Sequence, residues 1–220
     1  MAGDIRLGAG AMRNVVIIGN AGAARECHWL LGIIARHESG LSFKGFLAFE
    51  GYAGDLRGLS HLQLGNDDEY AAAANDVFVI GIGLPALRAR AWGKWRERGA
   101  AFMNLIHPAC FISQDLCMGE GNIITPACSF SCNVTVGNAN YFNGGVVVGH
   151  DARIGDANYF GTYSMIAGNA LVGSRNSFGA GAVALERTKI GNDNTIAPGA
   201  YVYKGCGDGC FMAGNPALNM

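Results

Sequence analysis

Between Met118 and Ile196 one pattern recurs five times at a spacing of eighteen residues: an apolar residue, Gly, two free positions, Asn, one free position, then Ile or Phe. The copies begin at Met118, Val136, Ile154, Val172 and Ile190, and their asparagines are Asn122, Asn140, Asn158, Asn176 and Asn194. A finer period of six lies inside. Every sixth residue from Ile112 to Val202 is apolar, sixteen positions in register, and only Ala184 among them is small. No α-helix keeps a strict period of six, because 3.6 residues per turn carries such a stripe around the helix. A solenoid with three short strands per coil keeps it, so three hexads make one coil and each sixth side chain points into a prism. The asparagines then stack one above another as an amide ladder. Asn and Gly also suit the left-handed backbone of a tight corner.

The segment ahead of the repeat has a different grammar. Val15 to Ile18 reads as a buried strand, followed by the Gly-rich turn Gly19, Asn20, Ala21, Gly22, Ala23 and a helix from Arg25 to about His37. Further strands are expected at Phe43 to Phe49, Val77 to Ile80 and Phe102 to Ile106, with a helix from Leu84 to Arg98. Alternating strand and helix predicts a small Rossmann-like α/β domain over residues 14–107, with ligands at the carboxyl ends of its strands. A Gly-rich turn at a helix start offers free amides to a phosphate. Ala21 and Ala24 replace two glycines of the dinucleotide fingerprint, which argues against NAD. His107-Pro108 marks the junction, and residues 108–220 form the solenoid of about five coils with its C-terminal tail. Residues 1–13 carry no pattern and read as a flexible arm or residues left by expression, with Met12 as a candidate start.

Composition narrows the function. The formal net charge is −1 and only 15% of residues are charged, which argues against a nucleic-acid partner. No signal peptide or long apolar span is evident, so neither export nor membrane insertion is expected. Seven cysteines read as reduced thiols in the cytoplasm. Cys206 and Cys210 lack the partners a zinc site needs, and no metal is expected.

The repeat holds one histidine, His150, followed by Asp151. Its place in the hexad puts it at a corner, facing out. Gly168 is one coil later in the same column, displaced by about 4.8 Å, one strand spacing. A base beside an amide donor is the pairing that acyl transfer uses: one takes the proton of the nucleophile, the other stabilises the oxyanion. Cys132, one coil below, is a weaker nucleophile candidate because no second histidine is at hand to activate it.

These residues carry a resemblance. From about Asn14 to the end the chain resembles bacterial hexapeptide-repeat sugar acyltransferases, the group of sialic-acid O-acetyltransferases and N-acetyltransferases of nucleotide-linked 4-amino-sugars. The marks are Val15 to Gly22, Gly45-Phe46-Leu47, Ile82-Gly83 before Leu87-Arg88, Leu105-Ile106-His107-Pro108, Gly149-His150-Asp151 with Ile154-Gly155, and Gly214-Asn215-Pro216-Ala217. The resemblance implies a left-handed parallel β-helix, a homotrimer, and acetyl-CoA in a groove between neighbouring helices. It implies His150 as general base with Asp151 beside it, a Gly168 amide on the thioester carbonyl, and further CoA contacts near Ala180 and Gly199. The nucleotide-sugar would be held partly by the N-terminal domain, with Gly19, Asn20, Ala21, Gly22, Ala23, Phe49 and Gly83 as candidate contacts. Two departures stand out. A second histidine common in the group is Tyr159 here, in a place that faces the acetyl group or sugar. The acidic pair usual after Gly-Phe-Leu is replaced by Ala48-Phe49-Glu50. The implied activity is acetyl-CoA-dependent N-acetylation of a nucleotide-linked amino-sugar for O-antigen, capsule or glycoprotein glycans. Sugar O-acetylation and non-catalytic nucleotide-sugar binding are the alternatives.

Overall fold

The computed structural model describes residues 12–51 and 54–220. The expected arm over residues 1–13 lies, apart from Met12 and Arg13, outside the described residues.

The N-terminal unit is a four-stranded parallel sheet. Its strands are β1 (Arg13–Ile18), β2 (Leu41–Ala48), β3 (Gln63–Asn66) and β4 (Asp76–Ile80), in the order β3-β2-β1-β4. Helix α1 (Gly22–Ile34) and helix α2 (Pro85–Glu97) pack on the sheet. Strand β1 reads as a continuous apolar run because helices cover both faces, leaving Val15 to Ile18 fully buried. No residue pattern marks β3, a short and largely exposed strand that contains Gly65.

The expected strand from Phe102 to Ile106 is divided between the two units. Phe102 makes a single bridge to Phe78, while β5 (Leu105–Ile106) pairs with Ile123–Ile124 of the solenoid. The solenoid therefore begins ahead of His107-Pro108, and Ile106 extends the six-residue register by one place.

Beyond β5 the chain winds as a three-sided parallel β-helix of two-residue strands. The first face holds β5, Ile123–Ile124, Tyr141–Phe142, Tyr159–Phe160, Ser177–Phe178 and Thr195–Ile196. The second runs from Phe111–Ile112 to Tyr201–Val202, and the third from Cys117–Met118 to Lys189–Ile190. Partners in every pair are eighteen residues apart, as in Tyr141 with Tyr159 and Val147 with Met165. The hairpin Phe211–Gly214 with Ala217–Asn219 closes the end of the first face.

The interior follows the register. Phe142, Val148, Ile154, Phe160, Ile166, Val172 and Phe178 are all buried. Phe142 and Phe160 stack at 4.7 Å and Phe160 and Phe178 at 5.0 Å. Each such side chain contributes roughly 1.5–3 kcal/mol by burial.

The asparagines form a continuous ladder. Asn140, Asn158, Asn176 and Asn194 each donate a backbone N–H to the side-chain oxygen of the asparagine one coil before, at 2.8–2.9 Å. The ladder starts at Asn104, whose Oδ1 accepts from Asn122 N, and ends where Cys210 N donates to Asn194 Oδ1. The stacked asparagines do not themselves supply the left-handed corner. The residue before each does: Ala139 (φ 54°), Ala157 (φ 55°), Arg175 (φ 59°) and Asp193 (φ 58°). The repeated glycines answer to close approach between coils. A Cβ on Gly137 would sit 2.8 Å from Gly155 O.

Candidate active site

His150 lies in the turn that joins the second face to the third. Its imidazole lies against Gly168: a Cβ there would come within 2.8 Å of Nε2 and 2.9 Å of Cε1. The glycine one coil on is thus what lets the ring lie flat along the corner. Asn169 N donates to His150 O at 2.8 Å, fixing the backbone beneath the ring. Among the described residues the Gly168 amide has no backbone acceptor. A base and a free donor therefore stand side by side.

Asp151 takes the left-handed conformation (φ 60°), and this bends its side chain back to its neighbour. His150 Nδ1 is 2.8 Å from Asp151 Oδ2, which directs Nε2 outward. Bonds from His150 and then from Asn133 hold the Asp151 carboxyl below the usual carboxylate range.

Ala180 and Gly199 are at a different corner, between the first and second faces, where Gly199 N donates to Ala180 O at 2.9 Å. Three of the residues expected to meet acetyl-CoA, Gly168, Ala180 and Gly199, thus flank the second face from both edges, whereas Tyr159, also expected there, lies on the first face. That face turns a largely apolar column outward: Phe111 (76% exposed), Val147 (42%) and Tyr201 (37%), with Ser129, Met165 and the buried Val183 between them.

A cleft of about 700 Å³ opens between the N-terminal domain and the first face. Gly22 and Ala23 of the Gly-rich turn, Gly83 and Tyr159 line it. Gly19, Asn20, Ala21 and Phe49 are not among the lining residues. Gly19 is buried at φ 120°, where a Cβ would strike Gly81 O at 2.5 Å, so it serves the packing of two strand ends. Phe49 is buried beneath Arg90 and Lys94, whose charges sit 5.0 and 5.6 Å from its ring. An acidic pair does occur near the end of β2, but in the turn that follows β3. Asp67 N donates to Ala48 O, while Lys94 bridges the carboxylates of Asp67 and Asp68.

Sequence reasoning passed over Arg25, Glu26, Trp29 and Tyr141, which also line the cleft. Tyr141 O–H donates to Glu26 Oε2 at 2.5 Å, and Asn143 Nδ2 donates to the Tyr159 hydroxyl at 2.7 Å. The two phenol rings are 5.5 Å apart. Burial pushes the Tyr141 hydroxyl well above its ordinary value and raises Tyr159 too, so both stay neutral donors. The six-residue frame could have found the pair, since Tyr141, Tyr159 and Ser177 fall in one outward column. On α1, Trp29 lies about one turn beyond the adjacent Arg25 and Glu26, which brings the three to one side of the helix. The first turn of α1 has no side-chain cap, leaving its amides open for an anion.

Within one chain the cleft and His150 do not converge. The cleft opens on the first face, and His150 occupies the corner between the other two. Among the described residues no group of three or more His, Cys, Asp or Glu side chains is placed to hold a metal ion, and no helix is long and apolar enough to cross a membrane.

No protein-family model and no curated protein matches the chain. Solved structures do. The chain is similar to PerB from Caulobacter crescentus in complex with CoA and GDP-perosamine, with a TM-score of 0.81 and 27% identity, covering 96% of this chain and 98% of that one. PerB is a perosamine N-acetyltransferase. The acetyltransferase domain of PglB from Neisseria gonorrhoeae FA1090, in complex with acetyl coenzyme A, matches at a TM-score of 0.81 and 20% identity, over 96% of this chain and all of that one. WeeI from Acinetobacter baumannii AYE matches at 0.64 and 19%, over 95% of this chain and all of that one. The chain thus shares the architecture of hexapeptide-repeat acyltransferases, an α/β domain ahead of a left-handed β-helix.

Proposed function

We propose that this chain is an acetyl-CoA-dependent N-acetyltransferase acting on the amino group of a nucleotide-linked amino-sugar. The observation that carries the reading is the His150 imidazole lying against the open Gly168 amide, on a fold matched almost end to end by an enzyme solved with CoA and GDP-perosamine. The sugar amine attacks the thioester carbon of acetyl-CoA. Nε2 of His150 takes the proton released on attack, and Asp151 stabilises the imidazolium. The Gly168 N–H meets the oxyanion of the tetrahedral intermediate. Collapse expels CoA as the thiolate, which recovers the proton from His150.

The nucleotide-sugar occupies the cleft, its phosphates toward Arg25 and the open first turn of α1, its sugar along Tyr141 and Tyr159. For that sugar to meet a His150, the two must come from different copies. A homotrimer supplies this, with the apolar second face of one helix covered by its neighbour and acetyl-CoA in the groove between. A 4-amino-sugar is the acceptor the resemblance favours, and a surface glycan is the destination of the product. All seven cysteines are free thiols, in keeping with a cytoplasmic site of action.

The test is CoA release from acetyl-CoA against GDP-, UDP- and dTDP-linked 4-amino-sugars and free sialic acid, with GDP-perosamine first. Turnover with one nucleotide-sugar is the expected outcome. Turnover with sialic acid alone would move the chain to O-acetylation, and acceptor binding without CoA release would make it a binding protein.

A further inference from the structure

One side chain outside the catalytic pair is tied to it directly. Asn133 sits one coil before Asp151 in the same corner column and donates Nδ2 to Asp151 Oδ1. Asp151 uses its other oxygen, Oδ2, for His150 Nδ1. Asn133 is in turn fixed from below. Its backbone N–H donates to Asp115 Oδ2 at 3.0 Å, and Asp115 Oδ1 accepts from Ser113 Oγ at 2.6 Å. A line of bonds thus climbs three coils along one edge and ends on the imidazole.

We infer that Asn133 is a positioning residue for the acetyl transfer, holding the Asp151 carboxylate in the one orientation that leaves His150 Nε2 turned outward beside Gly168. The physical reason is geometric. Asp151 is exposed and adjacent in sequence to its partner, so its carboxylate can swing away from the ring into water. A second bond to the opposite oxygen removes that freedom. An amide is suited to the place because it donates without adding charge. The corner already carries Asp115, Asp151, Arg153, Glu186 and Arg187, with Cys132 beside them. A second base here would compete for the imidazolium.

Asn133 has φ 55°, so glycine replaces it without backbone strain. The inference rests on the proposed activity, and the experiment separates the two. In Asn133→Gly we expect unchanged melting temperature, unchanged KM for both substrates, kcat down by about tenfold, and the acid limb of the rate profile moved to higher pH. The sign follows from the bond: without the Asn133 donor the carboxylate is more basic and holds the protonated ring to higher pH. Asn133→Asp keeps the shape but replaces a donor with a charge, and should lose more than Asn133→Gly. A kcat and a pH profile equal to the parent in both variants would overturn the inference. Should the parent turn over no acceptor, carbon-13 NMR of the Asp151 carboxyl decides it alone. A midpoint that rises in Asn133→Gly upholds the positioning role, and an unmoved midpoint sinks it.

Discussion

Arg88 Nε donates to the carbonyl of Ala139 at 2.7 Å, across the boundary between α2 and the β-helix. The same guanidinium donates through Nη1 to Ile80 O and Ile82 O, each at 2.7 Å. Arg88 is fully buried, and burial pushes its guanidinium down to about 10, so it stays charged at neutral pH. One side chain thus ties the end of β4, the wall of the cleft at Ile82-Gly83, and a corner of the helix. It also explains why that corner has alanine at a positive φ. Ala139 is completely buried against the N-terminal domain, and a longer side chain has nowhere to go.

Arg88→Met should therefore destabilise the chain by about 3 kcal/mol or more. Buried carbonyls left without a donor cost about 1–3 kcal/mol each. Urea unfolding measures it, and a loss under about 1 kcal/mol would mean that water replaces the guanidinium.

His150→Ala should lower kcat by about 10²–10⁴, the usual scale of general base catalysis. The residue is exposed, so the melting temperature should hold. Unchanged turnover would remove His150 from the mechanism.

Gly168→Ala tests the imidazole's resting place. Gly168 does not have a positive φ, so alanine meets no backbone strain, yet its Cβ would be 2.8 Å from His150 Nε2. The ring must move. A fall of about 10²-fold in kcat is expected for a displacement of this order, with normal folding by circular dichroism. Activity near the parent's would show that the ring has a second productive position.

Asp76 gives an acid-side stability prediction. Burial alone would raise its carboxyl, but bonds from Lys44, the Ala73 amide and Tyr70 prevail, and the group is held below its ordinary 3.8. A depressed carboxyl stabilises the fold above the unfolded-state value, and that contribution is lost as pH falls through the folded value. Asp76→Asn should be less stable at neutral pH, and its melting temperature should fall less steeply below about pH 4. Parallel curves for the two proteins would assign the acid sensitivity elsewhere.

Val148→Asp probes the register itself. Val148 is 1% exposed inside the prism, and an unpaired carboxylate there should prevent stable folding. A normal melting temperature would be incompatible with the packing described.

Much of this was legible from Ile112 onward because a period of six admits one architecture. The interior positions, the asparagine stack and the placement of His150 against Gly168 all follow from counting. The N-terminal unit was readable only where burial leaves a mark. Val15 to Ile18 announced a strand, whereas β3, largely exposed and containing Gly65, did not. Asn104 and Leu105-Ile106 read as part of the sheet because one turn of solenoid is too short to show a period. Phe49 reads as a cleft residue but is buried, because a strand end looks the same in sequence whether its side chain enters a cleft or the core. Glu26 and Tyr141 could not be joined by sequence, being 115 residues apart and brought together only by the docking of α1 on the first face.

The eighteen-residue repeat also works as a ruler. Arg88 pins the N-terminal domain at the height of Ala139, and every further coil lifts the corner by one division of about 4.8 Å. Removing one whole coil between Asn140 and Asn194 would leave the amide ladder, the interior stack and the hydrogen-bond ladders able to rejoin. Inserting one coil between Ala139 and His150 would raise the His150 corner by one graduation relative to Arg88, while inserting one above Gly168 would leave that height unchanged. Chain length in this fold is thus a coordinate, and the height of His150 above the Arg88 anchor is set in whole coils.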